Sequence, residues 1–442
     1  MDSKYIIALE IASSKIKGAA ATVDSSGVLT VLAVEEEKLI DCVRYGWTRN
    51  VEEVSNRVNR IIKKLENRLS PRKVKSVYVA IGGQSFCATP REVERRLPEE
   101  SQITDSLVEQ LKSDALNLAF SDNDTVGVET REFMVDRTRV SQPVGMYGRE
   151  IKARVNLISC RSTVKRNIGR AISERLGFKI NDYIVRQTAE ADLVLSSDEK
   201  RLGCMLVDFG AETTGVSIYK DGHLQYFVTL PLGSRNITID IAHGMNLLEE
   251  RAEEGKKAVG NAAIDGAAAH SLSDLIDATQ VNNYVAARAG EIIANINEQI
   301  RYASLTSSDL PAGIIIVGCG AKLRGFNERL SQVTKLAVRT GQPSQYVRIM
   351  DGRIQPSDAV DVIATLLAAT RGGAVECMEH PLPPDTSHNN DYNQEPEPEP
   401  ELEPTADDFE TEEEQPRRGG GLWGRIIKKT REFIDGDDDL LD

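Results

Sequence analysis

The chain carries the same arrangement of strand-like segments twice, and few folds accommodate such a repeat. The first group spans residues 5–33, with turn residues at 24–27, and the second spans 204–228, with turn residues at 220–222. Each group has the apolar runs and intervening turns of a three-stranded meander. Because helical patterns alternate with these strands up to about residue 380, the sequence predicts an α/β fold built from two similar halves.

A segment that lies between the two groups interrupts this plan. Residues 84–162 contain their own predicted helix, 107–119, and strand, 151–159, and we interpret the segment as an inserted subdomain. Apolar residues recur with helical spacing over 163–176 and 281–302, which predicts two helices that each pack one face on the core.

The composition restricts the classes of function. The formal net charge is −14, but twelve acidic residues and no Lys or Arg lie in 389–416, so the rest of the chain carries only −2. A near-neutral body without a basic stripe argues against nucleic-acid binding. No apolar run approaches the ~18 residues that cross a bilayer, and the N-terminus lacks a secretory pattern, so we expect a cytoplasmic protein.

The cysteines and histidines do not indicate a metal site. Six cysteines lie far apart, and the five histidines show no zinc-ligand spacing. The sequence therefore predicts neither disulfides nor a zinc site, and we expect buried, reduced thiols.

The C-terminal part of the chain has two distinct compositions. Residues 381–421 consist largely of Pro, Glu, Asp and Asn, which predicts a disordered linker. Residues 422–434 place bulky apolar side chains within ~140° of a helical projection and basic side chains on the other face. Such a helix suits an anionic membrane surface, and the alternative is a terminal helix docked on the protein's own core. The membrane-binding set is Leu422, Trp423, Arg425, Ile426, Ile427, Lys428, Lys429, Phe433 and Ile434.

Small and hydroxyl residues follow an acidic residue at the first turn of each meander. Glu10 precedes the turn 12–15, and Asp208 precedes the turn 210–214. Small residues let backbone N–H groups approach phosphate oxygens, hydroxyls add donors, and a carboxylate can hold Mg²⁺ through water. A third segment, 314–321, is an apolar strand with a Gly-rich turn that could approach a flat ligand. Each turn alone is common in proteins. The evidence for a phosphate-binding site is that the turns occur in this order within a duplicated arrangement of strands.

The order of these turns resembles the ATPase superfamily that includes actin, Hsp70 and the sugar kinases. Further segments narrow the resemblance to the FtsA family of bacterial cell-division proteins over residues 1 to about 372. These segments are Leu9-Glu10-Ile11, 142–148, 157–160, 232–242 and 313–316.

The resemblance implies an actin-like fold, in which duplicated ribonuclease-H-like halves surround a nucleotide cleft. It also implies an FtsA-type 1C insertion and a disordered C-terminal tail that ends in an amphipathic helix. The implied parts are subdomains 1A (1–83, 163–200 and 358–380), 1C (84–162), 2A (201–235 and 305–357) and 2B (236–304), the linker (381–421), the membrane-targeting helix (422–435) and an acidic tail (436–442).

The resemblance further implies a site for ATP and Mg²⁺. Asp208 matches the catalytic acid that holds Mg²⁺ through water, and Gln187 matches a water-positioning side chain, with a solvated glutamine as the alternative. The nucleotide-binding set is Glu10, Ser13, Ser14, Lys15, Gly210, Thr213, Gly233, Asp240, Glu253, Lys256, Gly318, Gly320 and Ala321. The superfamily pattern differs at Ala12, Ala211, Glu212, Gly215 and Cys319. Side chains replace the usual glycine at Ala12, Ala211, Glu212 and Cys319 and narrow the approach to phosphate, and Gly215 replaces a frequent Asp, so we expect a slow ATPase or a nucleotide-dependent switch.

The partners that the resemblance implies are the C-terminal peptide of FtsZ, other divisome proteins and further copies of the chain in actin-like protofilaments. The protein would lie on the cytoplasmic face of the bacterial inner membrane at the division site. Arg288 and Arg301, on the predicted helix of 2B, are candidates to meet the acidic peptide. Two alternatives remain open: a PilM-like pilus-assembly protein, and a small-molecule kinase, for which the sequence has no substrate-binding motif.

Overall fold

A computed structural model describes residues 4–379, except residues 25, 119–122, 264–276, 345 and 372. The predicted linker, membrane-targeting helix and acidic tail lie outside these residues. Within the described part, no helix is both long enough and apolar enough to span a bilayer.

The strands and helices alternate along the chain. The strands are β1 (Lys4–Ile11), β2 (Lys15–Val23), β3 (Leu29–Lys38), β4 (Val43–Arg44), β5 (Trp47–Thr48), β6 (Lys73–Val74), β7 (Ser76–Ile81), β8 (Cys87–Gln102), β9 (Asn123–Val135), β10 (Thr138–Val140), β11 (Tyr147–Arg161), β12 (Lys179–Val185), β13 (Cys204–Phe209), β14 (Thr214–Lys220), β15 (His223–Leu230), β16 (Ile314–Val317), β17 (Val338–Thr340), β18 (Val347–Ile349) and β19 (Met378–Glu379). The α-helices are α1 (Val51–Arg68), α2 (Asp105–Leu116), α3 (Ser162–Gly169), α4 (Arg186–Val194), α5 (Ser197–Leu202), α6 (Ser234–Met245), α7 (Glu249–Val259), α8 (Ala278–Tyr302), α9 (Phe326–Thr334) and α10 (Val360–Arg371).

Two mixed sheets carry the duplication. Their strand orders are β12-β7-β1-β2-β3-β18 and β15-β14-β13-β16-β17. Strand β1 is antiparallel to β2 and parallel to β7, and β13 has the same relation to β14 and β16. The predicted α/β fold with two meanders is therefore confirmed.

Helix α1 illustrates how the sequence covers these sheets. Its buried residues Val54, Val58, Ile61 and Leu65 recur three or four positions apart, so they share one face, which packs on β2 and β3. The side chain of Asn50 accepts a hydrogen bond of 3.0 Å from a backbone N–H of the first turn. A cap of this kind contributes about 1 kcal/mol to helix stability.

The inserted segment forms a separate antiparallel sheet, in the order β10-β9-β11-β8. Helix α2 packs on it, and Leu111, Ile151 and Val155 lie in the shared core. Strands β8 and β9 lie beside β15, where the buried amide of Asn156 donates to the carbonyl of Leu224 at 2.9 Å. The insertion thus interrupts the first half in sequence and contacts the second half in space.

Several local predictions require correction. The helix predicted over 107–119 begins at Asp105, because Thr104 provides its cap, and it ends at Leu116. The helix predicted over 163–176 divides into α3 and a π-helical turn, Arg170–Glu174. Cys87 and Cys319 are exposed, whereas the other cysteines are buried as expected, and all six are free thiols.

Candidate functional site

A cleft of about 740 Å³, partly open to solvent, lies between the two halves at the ends of β1 and β13. Glu10 and Asp208 occupy equivalent positions, each on the central strand beside a parallel neighbour. The predicted site residues that line this cleft are Glu10, Ser13, Ser14, Lys15, Asp208, Gly210, Thr213 and Gly318.

The turn between β1 and β2 is open to the cleft. The N–H of Ala12 donates to the carbonyl of Lys15 at 3.0 Å and closes the turn. Ser13 is half-buried and Ser14 is exposed, and both line the cleft. Their hydroxyls and the backbone N–H groups of the turn can therefore reach an anionic ligand.

The turn between β13 and β14 is held by more contacts. The N–H of Gly210 donates to the carbonyl of Thr213 at 2.9 Å. The N–H groups that begin α6 donate to the carbonyls of Gly210 and Ala211 at 3.0 and 2.7 Å. Gly233 permits this approach, because a Cβ there would lie only 2.3 Å from the oxygen of Ala211. The turn is therefore fixed against the start of α6.

Glu212 extends from this second turn to the first half of the molecule. Its buried carboxylate accepts a hydrogen bond of 2.7 Å from the N–H of Tyr45 and pairs with Arg44 at 2.6 Å and Arg235 at 2.9 Å. Arg235 also pairs with Asp41 at 2.9 Å. These contacts link the two halves at the edge of the cleft.

The guanidinium of Arg186, the first residue of α4, lies at the base of the cleft. It donates to Oε1 of Glu10 at 2.9 Å and to Oδ2 of Asp208 at 2.5 Å, and its Nε lies 3.6 Å from Glu190. The side chain also packs on the backbone of Gly82, where an added Cβ would lie 3.7 Å from Cζ of the arginine. One cation therefore bridges the acidic residues that end equivalent strands of the two halves.

A second charged pair lies beside Arg186. Lys17, on β2, contacts the carboxylate of Asp361 and donates to the carbonyl of Asp358 at 2.6 Å. Burial raises the pKa of Glu10 to about 8, and the negative charge of Asp361 adds to this shift. Burial also raises the pKa of Glu190 well above its ordinary value. One oxygen of each glutamate is buried without a hydrogen-bond partner among the described residues, which suits protonated carboxyl groups.

The side chains around Asp208 do not fit a magnesium site. Its Oδ2 accepts from Arg186, and its Oδ1 faces Gly318, where an added Cβ would lie 2.8 Å from that oxygen. Mg²⁺ is usually held by one or two carboxylates, waters and the phosphates of a substrate, and here the guanidinium of Arg186 places a fixed positive charge at the carboxylate that would hold it. Across the described part of residues 4–379, no group of three or more His, Cys, Asp or Glu side chains could hold a metal ion.

Gln187 does not face the cleft. Its side-chain amide donates to the carbonyl of Val228 at 3.2 Å and accepts from the hydroxyl of Thr229 at 3.1 Å. This geometry does not support the expected water-positioning role. The alternative of a solvated glutamine is wrong, because the residue is only 4% exposed.

Four more of the predicted nucleotide-binding residues lie in contacts within the second half. Lys256 pairs with Glu253 at 2.6 Å and donates to Thr238 at 2.8 Å, which joins α7 to α6. Gly320 packs on the ring of a phenylalanine, and Ala321 packs on the apolar core of the second half. Gly233, as described above, lies behind the second turn.

The predicted partner residues occupy different surroundings on α8. Arg288 makes two hydrogen bonds, of 2.6 and 2.9 Å, with the carboxylate of Asp240 on α6. Arg301 is 69% exposed and pairs with Glu298 at 2.9 Å on its own helix. Asp240 therefore holds α8 against α6, and Arg301 is the more accessible arginine. The predicted membrane-binding residues lie outside the described part of the chain.

Sequence reasoning did not select several charged residues that line the cleft. These are Lys17, Arg186, Glu190 and Asp361. Two of them could have been recognised as charged residues among apolar neighbours: Lys17 lies within β2, and Asp361 lies at the start of α10. Arg186 and Glu190 stand four positions apart, which places them on one side of α4.

Two family profiles match the chain. The profile described as cell division protein FtsA matches residues 205–362, and that described as the SHS2 domain inserted in FtsA matches residues 83–159. A cell division protein FtsA from Porphyromonas gingivalis is 31% identical over 354 residues, which cover 77% of this chain and 73% of the relative. The Escherichia coli relative of the same name is 26% identical over 380 residues, which cover 80% and 88%.

A solved structure shares the architecture at low identity. A chain in a PilM-PilN type IV pilus biogenesis complex aligns with a TM-score of 0.59 and 16% identity, covering 83% of this chain and 98% of that chain. Identity at this level supports the fold alone. The fold is the actin-like one, with two duplicated halves on either side of a cleft.

Proposed function

Because the chain belongs to the FtsA family of cell-division proteins, we propose that it tethers FtsZ filaments to the cytoplasmic face of the bacterial inner membrane. The actin-like body binds ATP, associates with further copies in protofilaments and recruits other divisome proteins. The C-terminal helix, 422–435, anchors the body, and the linker, 381–421, gives it freedom to turn.

The observation that carries ATP binding is that two equivalent turns face one cleft. Ser13, Ser14 and Thr213 line the cleft and bring hydroxyl donors to it. Such donors suit the phosphates of a nucleotide. Gly318, with a φ of 89°, lets the third segment line the cleft close to β13, because a Cβ there would lie only 2.5 Å from the carbonyl oxygen of Phe209.

The proposal does not include a bound Mg²⁺ ion, because the guanidinium of Arg186 bonds to Oδ2 of Asp208 and places a positive charge beside that carboxylate. Hydrolysis should be slow, since the amide of Gln187 bonds to β15 and cannot orient a water in the cleft. Phosphate release under steady-state conditions tests this point. A turnover near 1–1,000 s⁻¹, which is typical of enzymes, would contradict it.

The chemistry of residues 422–434 supports the membrane anchor. Trp423 and the aliphatic residues can enter the interface, and the lysines and arginines can contact anionic headgroups at ~1 kcal/mol each. The 41 residues of the linker span about 35 Å as a flexible chain. Its acidic residues are repelled by an anionic surface, which favours an extended tether.

The FtsZ peptide would contact the exposed side of α8. Arg301 offers an accessible guanidinium there, whereas Arg288 is already paired with Asp240 and Glu291. An acidic peptide would therefore depend more on Arg301 than on Arg288. The PilM-like alternative shares the fold but does not account for the amphipathic segment at 422–434, and no feature of the cleft favours the kinase alternative.

Co-sedimentation of FtsZ with anionic vesicles tests the tether. We expect FtsZ to pellet with vesicles and ATP when the intact protein is present. It should stay in the supernatant with a chain truncated before Leu422 and with Trp423→Glu. Trp423→Phe is the matched control, because it keeps an aromatic side chain at the same position, and it should behave as the intact protein does.

The outcomes separate the two parts of the proposal. If this protein pellets and FtsZ does not, the partner assignment fails and a pilus-type function becomes the better explanation. If Trp423→Glu pellets as well as Trp423→Phe, residues 422–434 do not anchor the protein. FtsZ without its C-terminal peptide should remain soluble in the presence of the intact protein.

A further inference from the structure

Arg186 lies between the two acidic residues at the ends of the equivalent central strands. The guanidinium lies between Glu10 and Asp208, at 2.9 and 2.5 Å from their oxygens. These acids end the two equivalent central strands, so their carboxylates are the nearest oxygen ligands from both halves. A cation that joins the halves at this point is therefore already part of the chain.

The position of this guanidinium is fixed on three sides. Glu10 and Asp208 accept its two hydrogen bonds, Glu190 lies 3.6 Å from its Nε, and a Cβ added at Gly82 would lie 3.7 Å from its Cζ. Its side chain is 14% exposed, and the exposed part lines the cleft. These contacts therefore hold the guanidinium of Arg186 in one position beside the cleft.

The hydrogen-bond donors of Arg186 are not exhausted by these contacts. A guanidinium has five N–H donors, and the described contacts use one on each terminal nitrogen. The cleft also contains two lysines, Lys15, which pairs with Glu36, and Lys17, which pairs with Asp361. Arg186 differs from them because it lies between the two halves and still has unused N–H donors for a phosphate.

We propose that the guanidinium of Arg186 takes the place of a divalent cation in this cleft, so that the polyphosphate of a nucleotide binds as the metal-free anion. This inference rests on the proposed binding of ATP. An arginine keeps its charge at any physiological pH and bonds phosphate oxygens in pairs, so it can neutralise a phosphate without water ligands. A metal ion at Asp208 would lie next to a fixed positive charge, which repels it.

The test compares ATP affinity with and without metal in the full-length protein. Isothermal titration calorimetry with ATP is performed in excess Mg²⁺ and in EDTA at one pH. For the natural sequence we expect dissociation constants that agree within about threefold, since the bound charge comes from Arg186. The shift of the thermal unfolding midpoint by ATP should likewise be the same in both buffers.

Substitution of Arg186 should convert the site into one that needs a metal. Arg186→Met keeps an unbranched apolar stem and removes the guanidinium, so ATP binding in EDTA should weaken at least about tenfold. Mg²⁺ should restore part of this loss, because Asp208 is then free to hold its waters. Arg57→Met is the matched control, because Arg57 is paired with Glu53 and Glu37 outside the cleft, and its affinities should equal those of the natural sequence.

The results distinguish this inference from the proposal on which it rests. If the natural sequence binds ATP in Mg²⁺ and loses at least about tenfold in EDTA, the inference is overturned and ATP binding stands. If ATP binds in neither buffer, both are wrong. If Arg186→Met does not fold, Arg186→Lys replaces it, because lysine keeps the positive charge but cannot bond two phosphate oxygens in parallel. The comparison of ATP affinity in Mg²⁺ and in EDTA for the natural sequence tests the inference without any variant.

Discussion

The two turns that face each other across the cleft share a backbone plan and differ in what their side chains do. The turn after β1 carries Ser13 and Ser14, which remain accessible, whereas the turn after β13 carries Glu212, which is buried in contacts with the first half. Duplication thus supplied two similar turns, and substitution gave them different tasks. The first keeps its hydroxyls accessible in the cleft, and the second joins the halves.

The strongest way to abolish this difference is Glu212→Gln. The neutral side chain leaves Arg44 and Arg235 without the carboxylate that they share, so the free energy of unfolding should fall by about 3 kcal/mol. Urea unfolding measures this loss. Ser13→Ala in the first turn is the matched control and should stay within about 0.5 kcal/mol, and equal losses for both variants would show that the turns do not differ in this way.

A second substitution acts on the backbone of the second turn. Gly233→Ala places a Cβ 2.3 Å from the carbonyl oxygen of Ala211, so the turn and the start of α6 must move apart. We expect a loss of about 2 kcal/mol in unfolding free energy. Gly352→Ala is the control, because nothing lies within 4 Å of its added Cβ, and a loss of similar size there would contradict the explanation.

The third prediction concerns the acid that precedes the first turn. The pKa of Glu10 is about 8 in the folded protein and near 4.5 when the chain is unfolded. Between these values the folded state holds a proton that the unfolded state releases, so stability falls as the pH rises through this window. From pH 6.5 to 7.5 this group should lower the free energy of unfolding by about 1 kcal/mol.

Glu10→Gln removes this contribution and should make the pH dependence shallower by that amount. Chemical denaturation of both proteins at pH 6.5 and 7.5 measures the difference. Parallel slopes for the natural sequence and the variant would mean that Glu10 is ionised in the folded protein throughout this range.

The duplicated fold could be predicted because its signals are local. The apolar runs of β1 to β3 and of β13 to β15, with turn residues between them, specify meanders without reference to distant residues. The turn residues that line the cleft, among them Ser13 and Thr213, were found for the same reason. Equivalent turns at the ends of equivalent strands must face each other once the halves pack together.

The predictions of site residues failed where a side chain could lie in either of two buried environments. Helix α4 is short and buried on most sides, so periodicity could not show that Arg186 faces the cleft and Gln187 faces β15. Lys256 was expected at the nucleotide, yet its ammonium bonds to Thr238 on the neighbouring helix. Such choices depend on residues that are distant in sequence, and no local pattern encodes them.

The contact between the insertion and β15 imposes an order on folding during synthesis. Asn156 is 2% exposed, and its amide donates to the carbonyl of Leu224, which the ribosome adds 68 residues later. A buried amide without a partner costs about 1–3 kcal/mol, so the inserted sheet cannot bury Asn156 favourably when it first emerges. It reaches its final packing only after β15 has been made. The first half, the insertion and the second half therefore finish folding together, although they leave the ribosome one after another.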